Sequence, residues 1–151
     1  LILTGKEKIV DAYCGIGTFT LPLAKRISHA IGIEISHDSI EQAKANAELN
    51  NINNVEFYQG AVKDILPTLN IFPDIVLLDP PRKGCDDSVI ETLREICPPL
   101  IIYISCQPST LARDLKKICY QNLYKILWVQ PVDFFPQTSH LESIVAIRRI
   151  I

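Results

Sequence analysis

The sequence contains no methionine and no Cys-x-x-Cys pair, carries one tryptophan, and has no apolar run long enough to cross a bilayer. Each gap removes a class of answer. No charged segment precedes an apolar stretch and a small-residue cleavage site, so neither a membrane span nor a secretory leader is read from these residues. Five cysteines, an odd number without paired spacing, fit neither a disulfide framework nor a zinc site. They point to a reducing compartment, with the cytoplasm as the expected location. An excess of one charge is missing too: 15 Lys and Arg against 17 Asp and Glu leave a net charge of −2, without the broad basic footprint of a nucleic-acid-binding domain. Any such surface is expected in residues upstream, because the chain opens Leu1-Ile-Leu-Thr-Gly and reads as the C-terminal piece of a longer protein.

What is present is one core's worth of chain. The 151 residues are 48% hydrophobic and no Ser/Gly/Pro-rich linker, charge run or repeat divides them, so residues 1–151 are expected to form one domain. Lys8 to Thr20 gives a short apolar strand, a glycine turn and the start of an amphipathic helix, the first βα unit of a doubly wound sheet. In such sheets ligands sit beyond the carboxyl ends of the strands, where the winding reverses, so Asp11 to Thr18 should edge the main pocket. Gly15 and Gly17 let backbone approach a ligand closely. A dinucleotide fingerprint wants a third glycine where this chain has Thr20, and Asp11 would repel a pyrophosphate. A strand-end carboxylate instead suits a ligand with an ammonium and a sulfonium, which describes S-adenosylmethionine. Gly-x-Gly alone also fits any βα turn that needs glycine.

The helix after this turn is expected to bury Phe19, Leu23 and Ile27. His29 to Glu34 is a buried strand ending in an acid, placed to accept both hydroxyls of an adenosine ribose; an acid favoured by the next helix dipole is the competing reading. Ser36 to Asn50 reads as a helix with Ser36 as N-cap and Ile40, Ala43 and Ala47 inward. Val55 to Gln59 is a strand, and Gly60-Ala61 turns where adenine contacts would fall. Asp74 to Arg82 is a buried strand ending in Asp79 and two prolines that stiffen the loop at the same edge. Amino-group methyltransferases have an aromatic after such prolines; here it is Arg82, which argues against amine methylation.

Asp86 to Cys97 reads as a helix with Val89, Ile90, Leu93 and Ile96 inward. Leu100 to Ser105 is another buried strand, followed by Cys106 and by Pro108, which suits the first turn of a helix carrying Leu111, Leu115 and Ile118. A thiol at a helix N-terminus meets a dipole that favours the thiolate, a setting that Cys14, Cys85, Cys97 and Cys119 lack. An inert core thiol is the plainer reading of any single cysteine. Tyr124 to Val132 and Glu142 to Arg149 are two strands with no helix between them, so they should pair antiparallel.

Four motifs thus stand in order: Asp11-x-x-Cys-Gly-x-Gly-x-Phe, Asp79-Pro-Pro-Arg, Ser105-Cys106-x-Pro and Asp133-x-Phe-Pro-x-Thr-x-His-x-Glu142. Together they resemble the catalytic domain of the RNA uridine-5-methyltransferase family, which makes 5-methyluridine in transfer or ribosomal RNA. The resemblance covers essentially the whole chain. It implies the class I methyltransferase variant of the Rossmann-like α/β fold: a doubly wound, mainly parallel seven-stranded sheet with a C-terminal antiparallel hairpin. It also implies S-adenosylmethionine as cofactor and a tRNA or rRNA substrate, with no membrane or DNA partner and a monomeric state. By the family pattern Cys106 is the nucleophile, Glu142 the base, and Tyr13, Thr18, Glu34 and Asp79 lie around the cofactor, to which the glycine turn adds Gly15. The family's upstream RNA-binding domain, often followed by a cysteine-bound iron–sulfur cluster, has no counterpart in these residues.

The chemistry explains the residue types. C5 of uracil is too weak a nucleophile to take a methyl group directly, so a thiolate must first add to C6. The C5 proton must then be removed before the thiolate can leave, which suits a positioned carboxylate. Asp79, between cofactor and base, is expected to fix one or both, and Arg82 to meet phosphate. Two positions depart from many family members, which have asparagine in place of Gln107 and of Thr18. RNA 5-methylcytidine enzymes, the nearest chemical rival, carry a second cysteine where this chain has Pro81. A non-catalytic RNA-binding or cofactor-sensing module is the alternative from another class.

Overall fold

A computed structural model of the chain describes residues 3–133 and 142–150. Its strands are β1 (Lys8–Asp11), β2 (His29–Glu34), β3 (Val55–Gln59), β4 (Ile75–Leu78), β5 (Leu100–Ser105), β6 (Tyr124–Val132) and β7 (Glu142–Arg149). The helices between them are α1 (Thr20–Ala24), α2 (His37–Leu49), α3 (Val62–Ile65), α4 (Asp87–Ile96) and α5 (Pro108–Ile118). The strands form one seven-stranded sheet in the order β3-β2-β1-β4-β5-β7-β6. The first five run parallel, and β7 is antiparallel to both β5 and β6. This is the expected doubly wound sheet with its terminal hairpin. Helices cover both faces of the parallel part, so β4 is buried along its whole apolar length and β1 everywhere but at Lys8. The winding reverses between β1 and β4, leaving a crevice beyond Asp11 and Leu78.

Most helices follow the sequence pattern. Ser36 caps α2 by accepting a hydrogen bond from the Ser39 N–H at 3.3 Å, and Ile40, Ala43 and Ala47 face inward. Pro108 occupies the first turn of α5. The expected burial after the glycine turn needs correction. Helix α1 begins only at Thr20 and turns Thr20, Leu21 and Ala24 inward, while Phe19 is 40% exposed and Leu23 half-buried. Ile27 is buried, but beyond the end of the helix. The reason lies at Gly17, whose carbonyl accepts the Leu21 N–H and over which Leu21 packs so closely that an added Cβ would sit 2.9 Å from its Cγ. That contact sets the helix phase two residues away from the one read from the apolar spacing.

Strand β6 is the exception to the buried sheet. Apart from Tyr124, its residues are exposed or half-buried, and Ile126, Leu127, Trp128 and Val129 are each 40–53% exposed. A bulge between Ile126 and Trp128 interrupts its pairing with β7. Residues 134–141, which hold most of the fourth motif, lie outside the described residues.

The two helices after β4 are tied together by charge. Arg94 of α4 donates to the carbonyls of Lys117, Ile118 and Tyr120 at 3.2, 3.2 and 2.8 Å, closing the C-terminal end of α5 where a cation meets the negative end of the dipole. Asp114 of α5 is fully buried and accepts from the Tyr103 hydroxyl at 2.6 Å, the Cys85 N–H at 2.9 Å and the Arg113 guanidinium at 2.7 Å. The loop passes so near that a Cβ on Gly84 would lie 2.5 Å from Asp114 Oδ2, and Gly84 has φ +80. Gly84→Ala should therefore destabilise the protein by at least about 1–2 kcal/mol, from the left-handed backbone alone, with the clash adding to it. Thermal unfolding that loses no more than a degree would contradict this account of the loop.

Candidate active site

Glycine turns and short strand-end loops bring the candidate residues to the carboxyl edge of the sheet. Gly15 and Gly17 adopt φ +52 and +87. The turn they form is closed by Glu34, whose Oε2 accepts the Gly15 N–H at 3.1 Å while Oε1 accepts the Ser36 N–H at 2.9 Å. The carboxylate thus joins the first and second βα turns and fixes itself in doing so. Beside it lies a hollow of about 460 Å³, lined by Tyr13, Glu34, Ile35, Ala61, Asp79 and Pro81 among others. Three of the five expected cofactor residues, Tyr13, Glu34 and Asp79, border this hollow. Gly15 contacts it through Glu34. Thr18 borders a different hollow, of about 550 Å³, with Leu21, Arg26 and Asn46.

Beneath the turn, Asp11 is 1% exposed, and its Oδ2 accepts the Thr20 hydroxyl at 2.6 Å. Its other oxygen has no hydrogen-bond partner among the described residues. An uncompensated carboxylate oxygen in the interior is costly. Burial accordingly pushes the Asp11 carboxyl up to about 6, with the Asp79 charge adding to the rise against the Thr20 hydrogen bond. Asp79 is raised to about 6 as well, by desolvation first and the Glu142 charge second, although its side chain stands at the exposed rim. Among the described residues neither Asp11 nor Asp79 is in an ion pair, while Lys63 and Lys83 line the hollow and Lys83 is paired with Asp86.

On the other side of the crevice, β5 ends at Ser105 and Cys106 follows, half-buried, just before α5. The Ser105 hydroxyl accepts the Gln107 N–H at 3.1 Å and shapes this corner. The β5–β7 ladder ends on the Ser105–Ser143 rung. Cys106 is the residue after that rung on one side, where the chain bends out of β5, and Glu142 the residue before it on the other, the first of β7. Among the other thiols, burial drives Cys14 up to about 12 and Cys85 up to about 11, and raises Cys119. Cys97 donates to the Arg94 carbonyl at 2.8 Å. A thiol–carboxylate pair beside an anionic crevice is equipped for nucleophilic addition followed by proton removal.

Sequence reasoning passed over two features. Ile35 is 69% exposed at the mouth of the hollow, and its only signal is an apolar residue directly after a strand-end acid. The Arg113–Asp114 pair has no sequence signal, because adjacent helix positions do not normally face each other. Among the described residues no group of three or more His, Cys, Asp and Glu side chains could hold a metal ion, and no helix is long and apolar enough to cross a membrane.

Known proteins share this arrangement. An uncharacterized RNA methyltransferase of Synechocystis sp. is 53% identical over 150 residues, covering 99% of this chain and 32% of the relative. One from Nostoc sp. is 56% identical over 142 residues, covering 94% of the chain and 31% of the relative. The chain thus spans about a third of the length of the curated relatives it matches. Among solved structures, the Pyrococcus abyssi tRNA (uracil-54, C5)-methyltransferase in complex with S-adenosyl-L-homocysteine aligns with a TM-score of 0.81 at 32% identity, covering 96% of this chain and 35% of that one. An rRNA methylase from Streptococcus thermophilus aligns at 0.78 and 11% identity over 99% of this chain and 90% of that one, a likeness of fold. A family model described as a methyltransferase domain matches residues 3–145, which takes in both hollows, Cys106 and Glu142. With sheet order, glycine turn and sequence in agreement, the chain belongs to the methyltransferase-domain family.

Proposed function

We propose that this chain is the S-adenosylmethionine-dependent catalytic domain of an RNA methyltransferase that acts on C5 of a uridine in tRNA or rRNA. The observation that supports the reading is that Cys106 and Glu142 each directly adjoin the last rung of the β5–β7 ladder, Ser105–Ser143. The names of the Synechocystis and Nostoc relatives support RNA as the substrate, and the Pyrococcus enzyme supports the uracil C5 position. The cofactor's chemistry fits the residues present: among the described residues neither Asp11 nor Asp79 has an ion-pair partner, and an ammonium and a sulfonium would bring positive charge to them. Glu34 would accept the ribose hydroxyls, with Ile35 and Ala61 flanking the adenine, and Tyr13 and the Gly15 turn would enclose the remainder.

S-adenosylmethionine, when bound, supplies an electrophilic methyl group. The chain's own residues prepare the acceptor. Cys106 thiolate forms a bond to C6 of uracil, and the displaced π electrons make C5 the nucleophile that takes the methyl. Glu142 then accepts the proton from C5, the electron pair re-forms the C5–C6 double bond, and the Cys106–C6 bond breaks to return the thiolate. Thr18, on the second hollow, would serve the glycine turn from outside rather than touch the cofactor.

The full-length protein tests the two roles separately. Cys106→Ala should abolish methylation and any covalent RNA adduct. Glu142→Gln should permit methyl transfer but stall release, leaving a methylated RNA–protein adduct that survives denaturing electrophoresis and vanishes in the double variant. Normal turnover by Glu142→Gln, or an adduct formed without Cys106, would sink the assignment.

The crevice carboxylates give a pH test of their own. The folded-state value of Asp11, about 6, lies above the ordinary 3.8, so its contribution to stability is present at low pH and is lost as pH rises from about 4 to 6. A cationic ligand binds the ionised form and must displace that proton. Cofactor affinity measured by calorimetry should weaken by up to about tenfold per pH unit below about 6 and change by less than about twofold between pH 7 and 8. Asp11→Asn should flatten this profile; an unchanged profile would show that Asp11 does not meet the cofactor's charge.

A further inference from the structure

The loop from Asp79 to Asp86 forms one wall of the first hollow, through Asp79, Pro81, Lys83, Gly84 and Asp86. Its main chain makes its polar contacts with α5 rather than with the sheet. The Arg113 Nη2 donates to the Lys83 carbonyl at 2.9 Å and lies 3.5 Å from the Cys85 carbonyl, while its Nε and Nη2 both reach Asp114 Oδ1, at 2.8 and 2.7 Å. Asp114 Oδ2 takes the Cys85 N–H. One turn earlier, the Thr110 hydroxyl lies 3.0 Å from the Arg82 carbonyl and 3.1 Å from the Gln107 carbonyl, with one proton to give to either. Carbonyls of Arg82, Lys83 and Cys85 are therefore held by two side chains of the helix that begins two residues after Cys106.

This arrangement does more than close a loop. A guanidinium is planar and presents donors in a fixed fork, so Arg113 sets the direction of the loop as well as its distance. Asp114 fixes the guanidinium in turn, and being wholly buried it has no water to take over that role. None of Thr110, Arg113 and Asp114 borders the first hollow. Through them, however, the wall of the first hollow is tied to the helix that begins just after the thiol. Methyl transfer needs both at once, because C5 must meet the methyl group while C6 is bonded to Cys106.

We infer that Arg113 and Thr110 are positioning residues that register the cofactor wall against the nucleophile. The inference rests on the proposed uridine chemistry, and it separates two events which that chemistry links. Addition of Cys106 to C6, protonation of C5 from solvent, and return through Glu142 exchange the C5 hydrogen without any methyl group. That exchange needs only Cys106 and Glu142, whereas methylation needs the wall in register.

The test uses the full-length protein and RNA labelled with tritium at uridine C5, with tritium release and methyl incorporation counted in parallel. In Arg113→Ala, methylation should fall by about tenfold or more while tritium release in the absence of cofactor stays within about twofold of the unaltered protein. Arg113→Lys keeps the charge without the fork and should be intermediate; Thr110→Val should shift the same ratio by a smaller factor. Binding of S-adenosylhomocysteine by calorimetry should weaken by about tenfold in Arg113→Ala, a readout independent of the RNA. If exchange and methylation fall together, or if S-adenosylhomocysteine binding and the ratio are both unchanged, the inference is overturned. Failure of the unaltered protein to release tritium or form 5-methyluridine would overturn the uridine reading instead; the cofactor-binding comparison then decides alone whether Arg113 registers the wall.

Discussion

A single buried carboxylate, Asp114, organises the half of the molecule that follows β4. Four donors from three places converge on its two oxygens: the Tyr103 hydroxyl in β5, the Cys85 N–H in the loop, and two nitrogens of Arg113 in its own helix. Burying a charge is unfavourable unless it is fully hydrogen-bonded, and then it is also directional, since any displacement leaves a donor or the charge itself unsatisfied. Replacing it with an apolar residue could restore packing but not the geometry. The sheet's strand end, the loop and α5 must therefore take up one relative position. Arg94 completes the arrangement from the other end by closing the last carbonyls of α5.

The opposite half shows the converse use of charge. Among the described residues, Asp11 is held by one hydrogen bond on one oxygen and none on the other. Such an atom is a liability to the fold, and its cost appears as a carboxyl raised to about 6. Rigid satisfaction around Asp114 and deliberate incompleteness around Asp11 lie on opposite sides of the same crevice. Under the proposed chemistry the first would fix where reacting groups stand, and the second would leave a charge for a ligand to meet.

Much of this was legible in the sequence because the signals were local and redundant. Buried parallel strands read as apolar runs, Ser36 and Pro108 mark helix starts, and the short stretch of sequence between the last two strands points to antiparallel pairing. Strand-end acids and the Cys106 corner followed from position in the winding. What escaped depends on contacts between distant residues. The phase of α1 is set by Leu21 against Gly17, which outweighs the apolar spacing of Phe19 and Leu23. The separation of Thr18 from the other cofactor candidates is a matter of which side of the turn its side chain leaves. Arg113 and Asp114 look like ordinary surface charge until the fold brings Cys85 and Tyr103 to them.

The position of β7 has a consequence for the order of assembly. It lies between β5 and β6 but follows both along the chain, so β6 has no partner in the sheet until residues 142–149 are in place. The residues around the first hollow, by contrast, all precede residue 87. During synthesis the first hollow has all its lining residues long before β7 emerges, whereas the end of the sheet beside Cys106 waits for a strand inserted late between two others. Pairing of β7 with β5, across the intervening α5 and β6, is the more distant in sequence and the slower kind to form. The hollow is thus complete in sequence first, and the corner beside Cys106 is closed only when the sheet is complete.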